Sequence, residues 1–225
     1  MAQRKFSDTI DRLFQRCEWE KARKLLETQR AKQPENHWLL TQLGVTFYEQ
    51  RKYTHALQLL LASLKIMDDC PLTLWNLAGT LDALGKHAEA VKIYTWLLES
   101  ERSPKDHPCW ESKQWADALR TDCVYRLGAS FENLGKKKAA DQWYRKYLDL
   151  LVIGADGTYS IEDVTRRIRG LRGPARHVSD GGAVRKALSS ALPAPGTGRK
   201  KNQPRTPPRF DERGLLIGRR AAGKA

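Results

Sequence analysis

A 34-residue internal period is the feature that most constrains what this 225-residue chain can fold into. The same pattern of leucine, small and aromatic residues occurs twice between residues 37 and 100, at a constant offset of 34 residues. One repeat of this length is a pair of antiparallel helices, which cannot bury its apolar face alone and must stack on a neighbour. The period therefore predicts an all-α stack. The matched positions are Leu40/Leu74, Leu43/Leu77, Gly44/Ala78, Phe47/Leu81, Ala56/Ala90 and Leu60/Tyr94.

The pattern extends to both sides of these two copies. The preceding copy ends at Pro34, because proline cannot continue a helix. After the third copy the register shifts by sixteen inserted residues. No helix breaker separates Cys109 from the next helix, which predicts one helix from about Cys109 to Leu134, about 39 Å long. We predict a repeat domain over residues 1–172, with repeats at about 3–36, 37–70, 71–104 and 121–154, an insertion at 105–120 and a capping helix at 160–171.

The period and the residue types resemble the tetratricopeptide repeat (TPR) family. The resemblance covers roughly residues 3 to 154 and implies a TPR-like right-handed superhelical solenoid of antiparallel helix pairs. It further implies a scaffold or adaptor that binds a peptide or helix in the concave groove. We expect no enzymatic activity, because the sequence shows no convergent group of titratable residues. The family's small slot in the second helix holds Ala22, Ala56, Ala90 and Ala140, whereas its tryptophan slot holds Phe6, Leu40, Leu74 and Val124.

The resemblance also implies which residues face the groove, because the first helix of each TPR lines the concave surface. Aromatic anchors dominate interface energetics, although the rings of Trp38 and Trp75 could instead pack between repeats. The acidic groove residues Asp82, Asp122 and Glu132 favour a partner with basic character. The family's carboxylate-clamp slots are matched only by Asn76 and Arg126, so we expect no recognition of a C-terminal carboxylate. The expected groove residues are Trp38, Thr41, Val45, Tyr48, Leu72, Trp75, Gly79, Asp82, Asp122, Tyr125, Ala129 and Glu132.

Positive charge is concentrated at the C-terminal end. Residues 166–225 hold 16 Lys and Arg against 3 Asp and Glu, whereas residues 1–165 are nearly balanced. Residues 173–225 are rich in proline and glycine, which predicts a mostly disordered tail. This tail offers an alternative function as a binder of nucleic acid or an acidic partner, or as an occupant of the chain's own groove. It could equally be a solvated linker. The basic cluster comprises Arg199, Lys200, Lys201, Arg205 and Arg209.

Other chemistry finds little support in the sequence. No catalytic triad, phosphate loop or HExxH motif occurs, so we expect no catalytic residues and no cofactor. His107 and Cys109 form the one local group that resembles metal ligands, and without a second pair we assign no metal site. No apolar run is long enough to span a membrane, and the four cysteines form no CxxC pair. We therefore expect a cytoplasmic protein with reduced thiols.

Overall fold

A computed structural model describes residues 2–99, 107, 109 and 112–172, and every regular element in these ranges is an α-helix. The predicted all-α repeat solenoid is confirmed. The basic tail and most of the predicted insertion lie outside the described residues. The helices are α1 (Ala2–Gln15), α2 (Trp19–Lys32), α3 (His37–Glu49), α4 (Tyr53–Ile66), α5 (Pro71–Ala83), α6 (His87–Glu99), α7 (Lys113–Asn133), α8 (Lys137–Val152) and α9 (Ile161–Leu171).

The helices pack in chain order, as expected of a solenoid. Each helix from α1 to α8 contacts the next one, while α3 also contacts α5, and α5 also contacts α7. Helices α3, α5 and α7 therefore share one layer. Helix α1 joins this layer through Phe6, whose ring meets Trp38 of α3 edge-on at a centroid distance of 6.4 Å. The first helices of the predicted repeats thus line one side of the stack.

The repeating apolar slots form the core between the layers. One buried cluster runs from α4 to α7 and includes Leu60, Leu77 and Tyr94, so it joins successive helix pairs without interruption. The alanines in the second helices of the four predicted repeats are all fully buried. Short side chains are needed there because neighbouring helix backbones approach closely. These buried alanines are Ala22, Ala56, Ala90 and Ala140.

Helix α7 is shorter than the sequence predicted. It begins at Lys113 rather than near Cys109 and contains 21 residues, which corresponds to about 32 Å. The reason is Ser112, whose backbone is extended and whose side-chain oxygen accepts a hydrogen bond from the Trp115 amide at 3.1 Å. Such an N-cap satisfies a backbone donor that lacks a partner within the helix. Cys109 and Ser112 are therefore not part of α7.

Helix α9 closes the C-terminal end of the described stack. Ser160 caps it by accepting a hydrogen bond from the Asp163 amide at 3.1 Å. Its apolar side buries Val164, Ile168 and Leu171 against the tyrosines of α7 and α8. Solenoids need such a terminal element, because the last repeat would otherwise expose its stacking face. The opposite side carries arginines that face solvent.

Replacing Gly128 with alanine should destabilise the stack, because α7 and α8 touch at this position. A Cβ built on Gly128 would lie 2.6 Å from the ring of Tyr144, which is fully buried. We expect Gly128→Ala to lower the free energy of unfolding by about 1–3 kcal/mol. Chemical denaturation followed by circular dichroism measures this change.

Gly170 provides the matched control within α9. Nothing lies within 4 Å of a Cβ built there, so Gly170→Ala should be neutral or stabilise the helix by about 0.5–1 kcal/mol. Equal effects of the two substitutions would contradict the close contact between α7 and α8.

Candidate functional site

Helices α1, α3, α5 and α7 line an open cavity of about 1090 Å³. Residues from α1, α3, α5 and α7 all contribute to its wall, so it opens along the layer that these helices share. Two half-buried tryptophans, Trp38 and Trp115, and the half-buried Leu72 supply apolar surface. The described lining residues are Ser7, Asp8, Asp11, Gln33, Pro34, Glu35, Asn36, His37, Trp38, Thr41, Met67, Cys70, Leu72, Cys109, Ser112 and Trp115.

The cavity wall is acidic. Asp8, Asp11 and Glu35 line it, and none of its described lining residues is lysine or arginine. Partial burial, followed by repulsion from Asp8, raises the pKa of Asp11 above its ordinary value. Two neighbouring carboxylates that repel each other would be relieved by a cation. The electrostatics of this wall therefore favour a positively charged group in the cavity.

Farther along the groove, the predicted site residues Trp75 and Asp122 form a polar cluster with Arg126. The carboxylate of Asp122, only 4 % exposed, accepts a hydrogen bond from the Trp75 indole nitrogen at 2.7 Å. It also accepts one from Arg126, one helical turn away. The Arg126 guanidinium lies over the Trp75 ring at 4.9 Å. Trp75 is thus fixed by a buried ion pair and by a cation–π contact.

The other two predicted acidic residues also have partners within the chain. Asp82 accepts hydrogen bonds from the Ser130 hydroxyl at 2.7 and 2.9 Å, and lies 2.9 Å from Nδ1 of His87. Burial raises the pKa of Asp82, although His87 and Ser130 act in the opposite direction. Glu132 accepts hydrogen bonds from Tyr144 at 2.6 Å and from Arg167 at 3.0 Å. These carboxylates serve contacts between helices.

The structure spreads the remaining predicted groove residues over different environments. Thr41 is fully buried, and its hydroxyl lies 2.9 Å from that of Ser63 and 2.7 Å from that of Thr73. Tyr125 is buried and stacks on Tyr159 with ring centroids 3.5 Å apart. Gly79 is buried, whereas side chains that are half-buried on the same layer include Trp38, Val45, Tyr48, Trp75 and Ala129.

Sequence inspection missed the contribution of the first helix. The prediction placed the acidic groove residues on the third and fourth repeats, whereas the carboxylates that line the cavity lie on α1 and just before α3. The spacing of Asp8 and Asp11 could have indicated this acidic surface, because residues three apart lie on one face of a helix. The basic tail residues that the sequence singled out lie outside the described residues, so their binding role stays a prediction.

A second group of reactive side chains lines the same cavity. His37, Cys70 and Cys109 bring one ring nitrogen and two sulfurs within 4.8 Å of one another. Nε2 of His37 lies 3.2 Å from Sγ of Cys109. The hydrogen bond from Cys109, more than those from His37 and Thr73, lowers the pKa of Cys70, while the same bond raises the pKa of Cys109. No metal site was predicted from the sequence, because these three residues are far apart along the chain.

A comparison with protein families identifies one of the repeats directly. Residues 121–150, which comprise the second part of α7 and nearly all of α8, match the family model of the tetratricopeptide repeat. The chain contains a tetratricopeptide repeat. The family predicted from the sequence is therefore confirmed, and the number of TPR copies stays a prediction. Because TPR stacks present extended concave binding surfaces, the general role of the chain is that of a protein-interaction scaffold.

Solved structures with a similar arrangement of helices include two forms of MamA. One is MamA 41-end from Desulfovibrio magneticus RS-1, at 15 % identity and a TM-score of 0.49. The other is the MamA RS-1 ArsTM double mutant, at 16 % identity and a TM-score of 0.49. Each similarity covers 65 % of this chain and 74 % of that chain. No curated protein matches the sequence. Among the described helices, none has the length and apolar character needed to cross a membrane.

Removing the charge of Asp122 should destabilise the TPR stack. We expect Asp122→Asn to lower the free energy of unfolding by about 2–4 kcal/mol, because the largely buried Arg126 loses its counter-charge. Urea denaturation measures the change. The matched control is Asp141→Asn, since Asp141 pairs at the same spacing with Arg145, whose side chain is 50 % exposed, so that about 1 kcal/mol or less is expected. Equal losses would contradict a special role for the Asp122 pair.

Neutralising Asp11 should stabilise the protein at neutral pH. The pKa of Asp11 is raised in the folded chain, so protonation of Asp11 favours folding. This contribution to the free energy of unfolding is complete below the unfolded pKa of about 3.9 and is lost as pH rises through the folded pKa. Asp11→Asn should therefore have a higher melting temperature than wild type at pH 7, and the difference should shrink towards pH 3. The exposed Glu27→Gln is the control. A pH-independent difference would contradict the prediction.

Proposed function

We propose that the chain is a non-enzymatic adaptor that binds a peptide or helix, apolar on one side and basic on the other, in the groove between α1, α3, α5 and α7. The observation that carries this proposal is the cavity to which all four of these helices contribute. A cavity of about 1090 Å³ is large enough for several side chains of a partner. Concave surfaces of stacked helical repeats are the usual binding surfaces of such proteins.

Apolar contacts would supply most of the binding free energy. Trp38, Leu72 and Trp115 are half-buried at the cavity wall and keep surface that a partner can cover. Large aromatic side chains at the centre of a concave surface are the residues on which binding most often depends. The edge-on contact with Phe6 holds the Trp38 ring in place before binding, which reduces the entropy lost on complex formation.

Charge would supply the preference for a basic partner. Asp8, Asp11 and Glu35 lie on the cavity wall, whereas Asp82, Asp122 and Glu132 are already engaged by side chains of this chain. The preference for a basic partner is therefore assigned to Asp8, Asp11 and Glu35. A lysine or arginine placed between Asp8 and Asp11 would remove their mutual repulsion and lower the pKa of Asp11. Affinity for such a partner should consequently decrease as pH falls through the pKa of Asp11.

Selection from a random-sequence peptide library displayed on phage tests this proposal, with the full chain immobilised as bait. We expect enriched peptides that combine lysine or arginine with large apolar residues. Trp38→Ala should weaken the binding of these peptides by about 30-fold or more, the effect of removing a binding hot spot. Asp8→Asn combined with Asp11→Asn should weaken it further and reduce its dependence on salt.

Trp143→Ala is the matched control for this experiment. Trp143 is also half-buried at the edge of the core, but it lies on α8, away from the cavity, with Lys146 over its ring at 4.7 Å. Circular dichroism verifies that each variant is folded. If enriched peptides bind Trp38→Ala and Trp143→Ala equally well, the groove is not the binding site.

A further inference from the structure

Three potential metal ligands come from three separate elements of the stack. His37 is the first residue of α3, Cys70 precedes the first residue of α5, and Cys109 lies between α6 and α7. Cys70 is almost fully buried, whereas His37 and Cys109 are half-buried. Their convergence brings together one imidazole nitrogen and two sulfurs, the donor set of thiolate-rich metal sites.

The distances are close to those that a bound ion would impose. In a tetrahedral site with Zn–S near 2.3 Å and Zn–N near 2.0 Å, ligand atoms are separated by about 3.5–3.8 Å. Here the three ligand atoms all lie within 4.8 Å of one another, and His37 Nε2 is 3.2 Å from Cys109 Sγ. Side-chain movements of about 1 Å would therefore close the site around an ion. Rearrangement of the helices is not needed.

A fourth donor lies beside this group. The thioether sulfur of Met67, the residue that follows α4, is 3.4 Å from the sulfur of Cys109. Thioether ligands favour Cu⁺, whereas a nitrogen and two thiolates are equally suited to Zn²⁺. All four side chains line the groove cavity, which gives an ion a path to the site. The ligand set thus favours a soft or borderline cation over Mg²⁺ or Ca²⁺, which prefer oxygen.

Cys109 is held by a further contact, through His107, that would orient it. The Cys109 amide donates a hydrogen bond to Nδ1 of His107 at 3.1 Å. Because Nδ1 accepts this bond, Nε2 carries the proton and donates to Asp69, whose carboxylate lies 3.3 Å away. This chain of bonds links the Cys109 segment to the residues just before Cys70. Outer contacts of this kind position ligands in many metal sites.

From this geometry we propose that His37, Cys70 and Cys109 bind one soft cation, Zn²⁺ or Cu⁺, with Met67 beside the fourth position. A bound ion would connect α3, α5 and the segment before α7 at the wall of the groove. The site goes beyond peptide binding, because it does not require a partner. A disulfide between the two cysteines is the competing arrangement, but it would leave the imidazole and the thioether without a function.

Metal titration of the full chain tests the proposal, after the thiols have been reduced and the reductant has been removed under anaerobic conditions. Competition with a chromophoric chelator gives the affinity for Zn²⁺ and, without oxygen, for Cu⁺. We expect one ion per chain, and with Co²⁺ the near-ultraviolet charge-transfer band of cobalt–thiolate bonds. Cys70→Ser, Cys109→Ser and His37→Ala should each weaken binding more than His107→Ala, for which a loss of about 10–100-fold is expected.

Control variants separate this site from other thiols and imidazoles. Cys17→Ser and His55→Ala should bind like wild type, since Cys17 is exposed and His55 stacks on Phe47 of α3. Met67→Leu distinguishes the two ions, because loss of a thioether lowers the affinity for Cu⁺ and leaves that for Zn²⁺ unchanged. Circular dichroism of every variant verifies folding.

Two outcomes would overturn the proposal. The first is that reduced wild-type protein binds Zn²⁺ and Cu⁺ no more tightly than the folded Cys70→Ser variant. The second is that a Cys70–Cys109 disulfide forms on oxidation while the reduced chain shows no one-to-one metal complex. That result would assign the pair to redox chemistry instead.

Discussion

The close approach of paired helices is the constraint on which the rest of the structure depends. A Cβ on Gly44 would meet the side chain of Leu60 at 3.0 Å, and one on Gly128 would meet Tyr144 at 2.6 Å. Small residues at these contacts let a large residue of the second helix fill the space against the first. Since each pair then stacks on the next, the geometry of one contact determines where the following helices lie. The cavity between α1, α3, α5 and α7 is a consequence of that stacking.

Polar side chains in this stack divide into structural and surface groups. Asp122 binds Trp75 and Arg126 within the groove wall, so its charge is largely neutralised before any partner arrives. Asp8 and Asp11 have no such role in the core and line the cavity instead. The proposed preference for a basic partner therefore depends on α1 rather than on the more regular repeats in the middle of the chain.

The proposed metal site depends on a departure from the regular repeat, the insertion between α6 and α7. Cys109, which lies between α6 and α7 in the sequence, meets His37 at the start of α3 and Cys70 just before α5. A regular repeat would have connected α6 directly to the next helix and left these two residues without a third ligand. The proposed metal site and the proposed peptide groove share one cavity because both depend on the layer of first helices.

The sequence alone determined the helix pairs, the buried alanines and the family, because a fixed period constrains which side chains face a neighbour. It also indicated that Trp38 belongs to the groove layer. It did not determine that Thr41 is buried among Ser63 and Thr73, or that the carboxylate of Asp122 faces inward. Those outcomes depend on how far each helix is rotated within the stack, and the convergence of His37, Cys70 and Cys109 depends on contacts between distant segments. Only the tertiary structure decides both.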